Sequence, residues 1–292
     1  MDQAFKLRQI VENLRRQKSS QTHNSARVIA VTSGKGGVGK SNFTANLAIT
    51  LAKSGYKVLI LDADFGLANI DVILGIEPQW NFSHVLKGLK GIKDIITEGP
   101  EGIRVISGGS GVYELVSMTP QQVDKIIAEL RDIQETVDFV LIDTGAGVSE
   151  QVLKMIEASD ETILIVTPEP TSVLDAYALL KASIHARQDK SAPKLWLVVN
   201  RSENEKEATE LLDSFTEIAG VFLNTEVNKL GFIPADSVVP NAVKSQAPFT
   251  LVYPKSNASR HIKDITIRLL NQPAPTSNSG LARFFKVFAG IS

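Results

Sequence analysis

The stretch Val28–Ser41 reads VIAVTSGKGGVGKS, and its pattern decides the fold class of the whole chain. Its first part is apolar and rich in β-branched residues, which is typical of a buried strand, and it ends abruptly at Ser33 and Gly34. The residues that follow match the pattern G-x-x-x-x-G-K-[ST], and a helix-like segment comes next. Strand, glycine-rich loop and helix in this order predict a loop that binds a phosphate chain. A turn that matches by chance is the alternative, and the flanking strand and helix weigh against it.

The chemistry of this loop follows from its residue types. Glycines let consecutive backbone N–H groups turn towards an anion without a Cβ clash, and the start of the next helix adds its positive dipole. Lys40 is predicted to reach the β- and γ-phosphates, and the Ser41 hydroxyl is predicted to hold Mg²⁺. The candidate nucleotide ligands of the loop are Gly34, Lys35, Gly36, Gly37, Val38, Gly39, Lys40, Ser41 and Asn42.

Length and composition limit the classes of protein to consider. A chain of 292 residues with 43% hydrophobic residues suits one large α/β domain with short appendages. The net charge of −1 gives no general attraction to nucleic acid, so we expect no specific nucleic-acid partner. The absence of cysteine excludes disulfides, thiolate metal sites and cysteine nucleophiles. The N-terminus has no apolar signal-peptide core, and no apolar run approaches the ~18 residues of a membrane span, so we expect a cytoplasmic protein.

The rest of the chain alternates between strand and helix patterns. This alternation over residues 28–270 predicts an α/β fold with a doubly wound, mainly parallel sheet and helices on both faces. Polar linkers at residues 19–27 and 271–279 separate that domain from amphipathic helices predicted over residues 1–18 and 280–292. Within the domain, short helices and turns are expected over Asp71–Gly102. The apolar residues expected to anchor that region by packing are Trp80, Phe82, Val85 and Leu86.

Carboxylates follow two of the predicted strands. Asp62 and Asp64 come at the end of the strand Lys57–Leu61, and Asp143 follows the apolar run Phe139–Ile142. The carboxyl ends of parallel strands are where α/β sheets bind ligands. We therefore predict that Asp64 positions the attacking water, that Asp62 and Asp143 serve Mg²⁺, and that Gly147 allows close approach to the γ-phosphate. Aspartates that only cap turns are the alternative.

A second lysine in the loop, Lys35, makes the pattern more specific. The sequence GKGGVGKS resembles the deviant Walker A motif of the MinD/ParA/Mrp group of ATPases. The resemblance implies ATP and ADP as the nucleotides and a homodimer in which Lys35 reaches the nucleotide of the partner subunit. The D-x-D-x-G-L-x-N pattern of switch I is intact from Asp62, whereas Gly145 replaces the proline usual in switch II. The resemblance further implies an adenine pocket at Asn200, Arg201, Pro234 and Asp236.

The two ends of the chain resemble one branch of this group, the FlhG family of MinD-like regulators of flagellar number and placement, also called FleN or YlxH. The N-terminal residues of the family motif are Asp2, Gln3, Ala4, Leu7 and Arg8. In that family the motif stimulates FlhF, a GTPase of the signal-recognition-particle type. A helix that merely packs back on the domain is the alternative.

The C-terminal segment has the composition of an interfacial membrane helix. At 100° per residue, its apolar side chains share one face and its two basic residues lie opposite. The residues predicted to contact the membrane are Leu281, Arg283, Phe284, Phe285, Lys286 and Phe288. The resemblance to the membrane-targeting helix of MinD and FlhG agrees with this interpretation, and a helix docked in a groove of the protein is the alternative.

These patterns lead to one hypothesis with two alternatives. The leading one is a Mg²⁺-dependent ATPase whose ATP-driven dimer acts as a switch at the cytoplasmic membrane and governs flagellar assembly. Lys35, Lys40 and Asp64 would serve catalysis, and an FlhF-like GTPase and flagellar switch-complex proteins would be partners. The alternatives are a ParA-like ATPase that segregates DNA and a small-molecule kinase, although no acceptor site for a kinase is visible in the sequence.

Overall fold

The computed structural model describes residues 26–64, 69–108, 120–187, 193–273 and 280–288. They form one eight-stranded sheet in the spatial order β3-β4-β2-β5-β1-β6-β7-β8. All neighbouring strands are parallel except β3, which pairs with β4 in the antiparallel sense. The strands are β1 (Arg27–Ser33), β2 (Val58–Ala63), β3 (Ile96–Glu98), β4 (Arg104–Ser107), β5 (Phe139–Ala146), β6 (Glu161–Val166), β7 (Lys194–Ser202) and β8 (Asn228–Pro234).

Eleven helices accompany the sheet in the described part of the chain. They are α1 (Lys40–Lys53), α2 (Ile70–Leu74), α3 (Phe82–Leu86), α4 (Pro120–Gln134), α5 (Glu150–Ala158), α6 (Pro170–Ala186), α7 (Glu205–Leu223), α8 (Val238–Lys244), α9 (Phe249–Val252), α10 (Asn257–Leu270) and α11 (Leu281–Phe288). Single 3₁₀ turns at Ile92–Ile95 and Pro100–Gly102 complete the described helical elements.

The central strand explains why helices cover both faces of the sheet. Successive side chains of a strand point to opposite faces. Ile29 and Val31 accordingly belong to a core shared with α1 and α10, whereas Val28 belongs to a core shared with α3, α4, α5 and α11. A third cluster on the second face joins α5, α6 and α7 to the strands beyond β1. The predicted doubly wound, mainly parallel α/β sheet is therefore confirmed.

Several local expectations need correction. Asp62 and the stretch Asp143–Ala146 lie within strands β2 and β5 rather than in the loops after them. Strand β3 was not predicted, because three residues at the edge of a sheet carry no recognisable alternation. Phe82, Val85 and Leu86 are buried as predicted, but Trp80 is 37% exposed, so its assignment as a packing anchor is wrong.

The C-terminal helix α11 lies in a groove of the protein. It packs against α4 and α5, and the Phe285 ring stacks on Phe82 with the ring centroids 5.7 Å apart. Leu281, Phe284 and Phe285 are each at most 5% exposed, so in this conformation they cannot contact lipid. The side chain of Phe288 and the whole of residues 1–25, with the predicted N-terminal helix, lie outside the described residues. No helix in the described ranges is both long and apolar enough to span a bilayer.

Candidate active site

The phosphate loop connects the centre of the sheet to α1. Gly37 and Gly39 have φ angles of 78° and 93°, in the left-handed region that favours glycine. A Cβ at Gly34 would lie 2.1 Å from the backbone carbon of Asp175, so this glycine allows α6 to lie directly against the loop. Within the described part of the chain, the backbone N–H groups of Gly36, Gly37 and Gly39 have no acceptor. These N–H groups are thus available to an anionic ligand.

Lys40 and Asp143 form the buried centre of the site. The Lys40 Nζ donates to Asp143 Oδ1 at 2.9 Å, and the two side chains are 6% and 0% exposed. The Thr44 hydroxyl donates to the same oxygen at 3.0 Å. The other carboxylate oxygen, Asp143 Oδ2, is buried without a hydrogen-bond partner among the described residues. A buried acceptor left unused is what a cation or its bound water would satisfy, so these residues fit a Mg²⁺ ion.

Asp62 lies beside Asp143 on the neighbouring strand, where the two residues are register partners. Burial, and then the charge of Asp143, raise the pKa of Asp62 to about 7. Its two oxygens accept backbone N–H groups of Asp64, at 3.1 Å, and of Ile70, at 3.3 Å. Asp62 therefore ties together the two ends of the segment that contains switch I, in addition to its predicted role near the cation.

Asp64 faces the segment that corresponds to switch II. A Cβ built on Gly145 would lie 3.9 Å from Asp64 Oδ1. The N–H of Gly147 donates to Ser33 O at 2.9 Å, and its φ of 83° suits glycine. Asp64, the segment that corresponds to switch II and the start of the phosphate loop are far apart in the sequence, and they converge at the carboxyl edge of the sheet.

Lys35 pairs with residues that the sequence interpretation missed. Its Nζ donates to Glu169 Oε2 at 2.9 Å and to the Thr171 hydroxyl at 3.0 Å. The hydrogen bond from Lys35, and then its charge, lower the pKa of Glu169. The side chains of Lys35 and Glu169 are 38% and 57% exposed, so solvent screens this ion pair and Lys35 can be redirected at little cost.

The predicted adenine residues line a cavity of about 490 Å³ next to the phosphate loop. Asn42, Asn200, Arg201, Pro234 and Asp236 all contribute to its wall. The Asn200 Nδ2 donates to Val38 O at 2.7 Å, and its Oδ1 accepts the N–H of Arg201 at 3.0 Å. The second N–H of this amide and the remaining lone pair of its oxygen have no partner among the described residues and could bond to an adenine edge.

The side chain of Asp236 supports the wall of this cavity. Its oxygens accept the backbone N–H groups of Val238, at 3.1 Å, and of Ala258, at 3.2 Å. The carboxylate thus anchors α8 and α10 and shapes the cavity. Lys244 and Phe249 also line the cavity but were not predicted, because neither the sequence around α8 nor that around α9 carries a recognisable nucleotide motif.

The predicted nucleotide, metal and catalytic residues therefore converge at one edge of the sheet, whereas the predicted membrane residues lie on α11, against α4 and α5. The predicted partner-binding residues, Asp2 to Arg8, lie outside the described part of the chain. Glu169 could have been suspected from the sequence Thr167-Pro-Glu-Pro, since it follows a buried strand as the other site residues do.

Comparison with known proteins agrees with this geometry. The ParA family model, described as "NUBPL iron-transfer P-loop NTPase", matches residues 24–270. The protein named "Antiactivator FleN" from Pseudomonas aeruginosa is 36% identical over 258 residues, which cover 88% of this chain and 91% of FleN. "Flagellum site-determining protein YlxH" from Helicobacter pylori is 34% identical over 268 residues, 90% of this chain and 89% of YlxH.

A solved structure gives the same result for the fold. The "MinC:MinD cell division protein complex" of Aquifex aeolicus contains a chain that matches with a TM-score of 0.65 and 27% identity. The match covers 87% of this chain and 100% of the chain in the solved structure. This chain belongs to the MinD/ParA family of P-loop ATPases, among its FlhG-like members.

Proposed function

We propose that this ATPase is a dimerising switch that controls the number and placement of flagella. The flagellar part is supported by the relative named as the flagellum site-determining protein YlxH, and by the resemblance of the chain to the FlhG family. The switch part is carried by one observation: the phosphate loop contains a second, solvent-accessible lysine, Lys35, whose ion pair with Glu169 is itself exposed. On ATP binding, two subunits would meet face to face and each Lys35 would reach the nucleotide of the other.

The residues around the loop would share the work of hydrolysis. Lys40 and the partner's Lys35 would stabilise the negative charge of the phosphoryl group as it transfers. Asp64 would orient the attacking water, since its carboxylate faces Gly145 of switch II. Ser41, Asp143 and Asp62 would hold Mg²⁺, which when bound neutralises the phosphate charge. The cavity beside Asn200 would take the adenine of ATP or ADP.

The surface around Lys35 supports a dimer on this side of the molecule. Val148, which follows Gly147, is 53% exposed, and Leu174, which precedes the contact of Asp175 with Gly34, is 67% exposed. Exposed apolar side chains beside an active site are typical of surfaces that become covered on association. We therefore expect Val148 and Leu174 to lie in the ATP-dependent interface.

Leu174→Asp is expected to prevent dimerisation with ATP while leaving the monomer folded, because it would place two charges in a desolvated interface. Light scattering after gel filtration, with hydrolysis blocked by Asp64→Ala, measures the effect. Ile267→Asp is the matched control, since Ile267 is 55% exposed on α10, and this variant should dimerise normally. If Leu174→Asp dimerises like this control, the interface lies elsewhere.

The position of α11 suggests how a dimer could be coupled to a membrane. Helix α11 packs on α5, and α5 begins three residues after Gly147 of switch II, with Ser149 as its N-cap. A rearrangement of switch II on ATP binding would reach α11 through α5. The released helix would then place its phenylalanines in the cytoplasmic face of the membrane. A dimer presents two such helices, so its avidity would exceed that of a monomer by ~10²–10⁴.

Vesicle sedimentation tests this membrane role. In the Asp64→Ala background, the full chain should sediment with anionic vesicles in ATP and only weakly in ADP. A chain ending at Ser279 and the variant Phe285→Glu should both lose most of the binding, because an interfacial helix depends on its apolar face. Ile267→Glu, which adds the same charge elsewhere, should bind normally. Full sedimentation of the truncated chain in ATP would show that α11 is not the anchor.

The N-terminal segment would have a separate role as an activator of an FlhF-type GTPase. Asp2, Gln3, Ala4, Leu7 and Arg8 carry the motif for this role. They lie outside the described residues, so this part of the proposal rests on the sequence motif alone.

A further inference from the structure

A basic and apolar patch lies on the surface around α3, and we call its residues Trp80, Lys87, Leu89 and Lys90 the Trp80 patch. Trp80 is 37% and Leu89 65% exposed. The Lys90 Nζ lies 4.4 Å from the centroid of the Trp80 indole ring, a cation–π distance. An isolated exposed leucine needs no explanation. A tryptophan and a leucine that share a surface with lysines are a more specific combination.

The backbone turns Leu89 outward. Gly88, the second residue after the end of α3, adopts a left-handed φ of 69°, and the chain turns there. The sequence Lys87-Gly-Leu-Lys-Gly-Ile-Lys93 contains two similar apolar residues that differ in burial. Ile92 is fully buried, and Leu89 is mostly exposed. Ile92 belongs to the core cluster that supports this turn, whereas Leu89 does not.

The charge of this region is one-sided. Residues 78–93 contain three lysines and no aspartate or glutamate. Lys93 pairs with Asp132, but Lys87 and Lys90 have no ion-pair partner among the described residues. Asp94 accepts the N–H of Gly91 and Glu129 accepts the N–H of Ile92, while Glu77, which is exposed, directly precedes this stretch. The two free ammonium groups are therefore available to an external anion.

The patch flanks the element that supports the C-terminal helix. Phe82, at the start of α3 and two residues after Trp80, stacks on Phe285 of α11. We propose that the Trp80 patch is a second membrane contact, in which Trp80 and Leu89 enter the interfacial region of an anionic phospholipid surface while Lys87 and Lys90 bind its headgroups. This inference extends the membrane role proposed for α11 and rests on it for the orientation of the protein.

The chemistry favours lipid over an acidic protein segment. Tryptophan is enriched where one end of a side chain is in an apolar phase and the other in water. Leu89 sits on a turn between flanking lysines rather than in a groove that a peptide side chain could fill. Each lysine near an anionic membrane is expected to raise affinity roughly fivefold. The patch is exposed while α11 lies in its groove, so it could orient the protein on a membrane before α11 is released.

The two tryptophans of the chain permit a direct test. Trp196 is only 3% exposed and donates its Nε1–H to Glu161 at 2.8 Å, so a quencher in the bilayer cannot reach it. In the Asp64→Ala background with ATP, we expect vesicles of brominated phosphatidylcholine and phosphatidylglycerol to quench the emission of Trp80. The variant Trp80→Phe should show no quenching, because only Trp196 remains. Lys87→Gln combined with Lys90→Gln should lower vesicle affinity by about tenfold or more.

The outcomes separate this inference from the role of α11. If the full chain sediments with vesicles but shows no quenching that depends on Trp80, the patch does not touch lipid and the inference is wrong, while the role of α11 stands. If a chain ending at Ser279 loses vesicle binding while the Trp80 emission of the full chain is quenched, the results support both the Trp80 patch and α11 as membrane contacts. If that shortened chain still binds and is quenched, the patch is a membrane contact and α11 is not the anchor. Absence of all vesicle binding overturns both.

Discussion

Lys40→Gln is expected to lower ATP affinity by a hundredfold or more and to remove measurable hydrolysis. Lys40 would donate two charge-assisted hydrogen bonds to phosphate oxygens, each contributing about 1.5–3 kcal/mol. The sum exceeds the 2.8 kcal/mol or so that corresponds to a hundredfold change in affinity. Calorimetric titration with a non-hydrolysable ATP analogue measures this loss. Lys53→Gln is the matched control, since Lys53 ends the same helix and is 38% exposed.

Stability must be separated from affinity in this experiment. Removing Lys40 leaves the carboxylate of Asp143 buried with only the Thr44 hydroxyl, so the variant should also unfold at a lower temperature. Adding Asp143→Asn should restore stability without restoring affinity for ATP.

Lys35→Ala should keep nucleotide affinity but lose dimerisation and hydrolysis. Equal losses of affinity in Lys35→Ala and Lys40→Gln would show that Lys35 is only a second local phosphate ligand.

Asp64→Ala is expected to lower the turnover of ATP by about 10²–10⁴, the range in which a positioned acid or base contributes. Affinity for ATP should change little, because Asp64 faces Gly145 rather than the loop glycines. Dimers should then accumulate in the presence of ATP, because the hydrolysis that would dissociate them is blocked. Phosphate release and light scattering measure the two effects. Asp213→Ala, an exposed carboxylate on α7, is the control and should turn over normally.

An Asp64→Ala variant that hydrolyses ATP at the normal rate would exclude Asp64 as the residue that positions water. A variant with slow turnover that stays monomeric in ATP would keep that role for Asp64 but contradict the face-to-face dimer.

The central part of the fold could be predicted because its signals are local. The strand β1, the glycine loop and α1 are consecutive in sequence, and the left-handed angles at Gly37 and Gly39 need the glycines that the motif supplies. The carboxylates Asp62 and Asp143 could be placed beside one another because the ends of parallel strands meet at one edge.

Other features depend on contacts between residues that are far apart in the sequence, and a local sequence pattern does not identify such contacts. The ion pair of Lys35 with Glu169 joins residues 134 positions apart. An amphipathic helix needs an apolar surface, and its sequence does not distinguish a bilayer from a protein groove, so the docking of α11 could only be stated as an alternative. Trp80 illustrates the same limit, because its 37% exposure could not be read from its apolar character.

The contact between Gly39 and Asn200 has a consequence for how such a site can change over generations. A Cβ at position 39 would lie 2.4 Å from Asn200 Nδ2, an atom that donates a hydrogen bond to Val38 O. A side chain at position 39 would displace the end of the Asn200 side chain and break its bond to Val38 O, and the left-handed backbone disfavours a side chain there independently. A smaller residue at position 200 would remove the first obstacle but not the second, so glycine stays required at position 39 whichever residue stands at position 200.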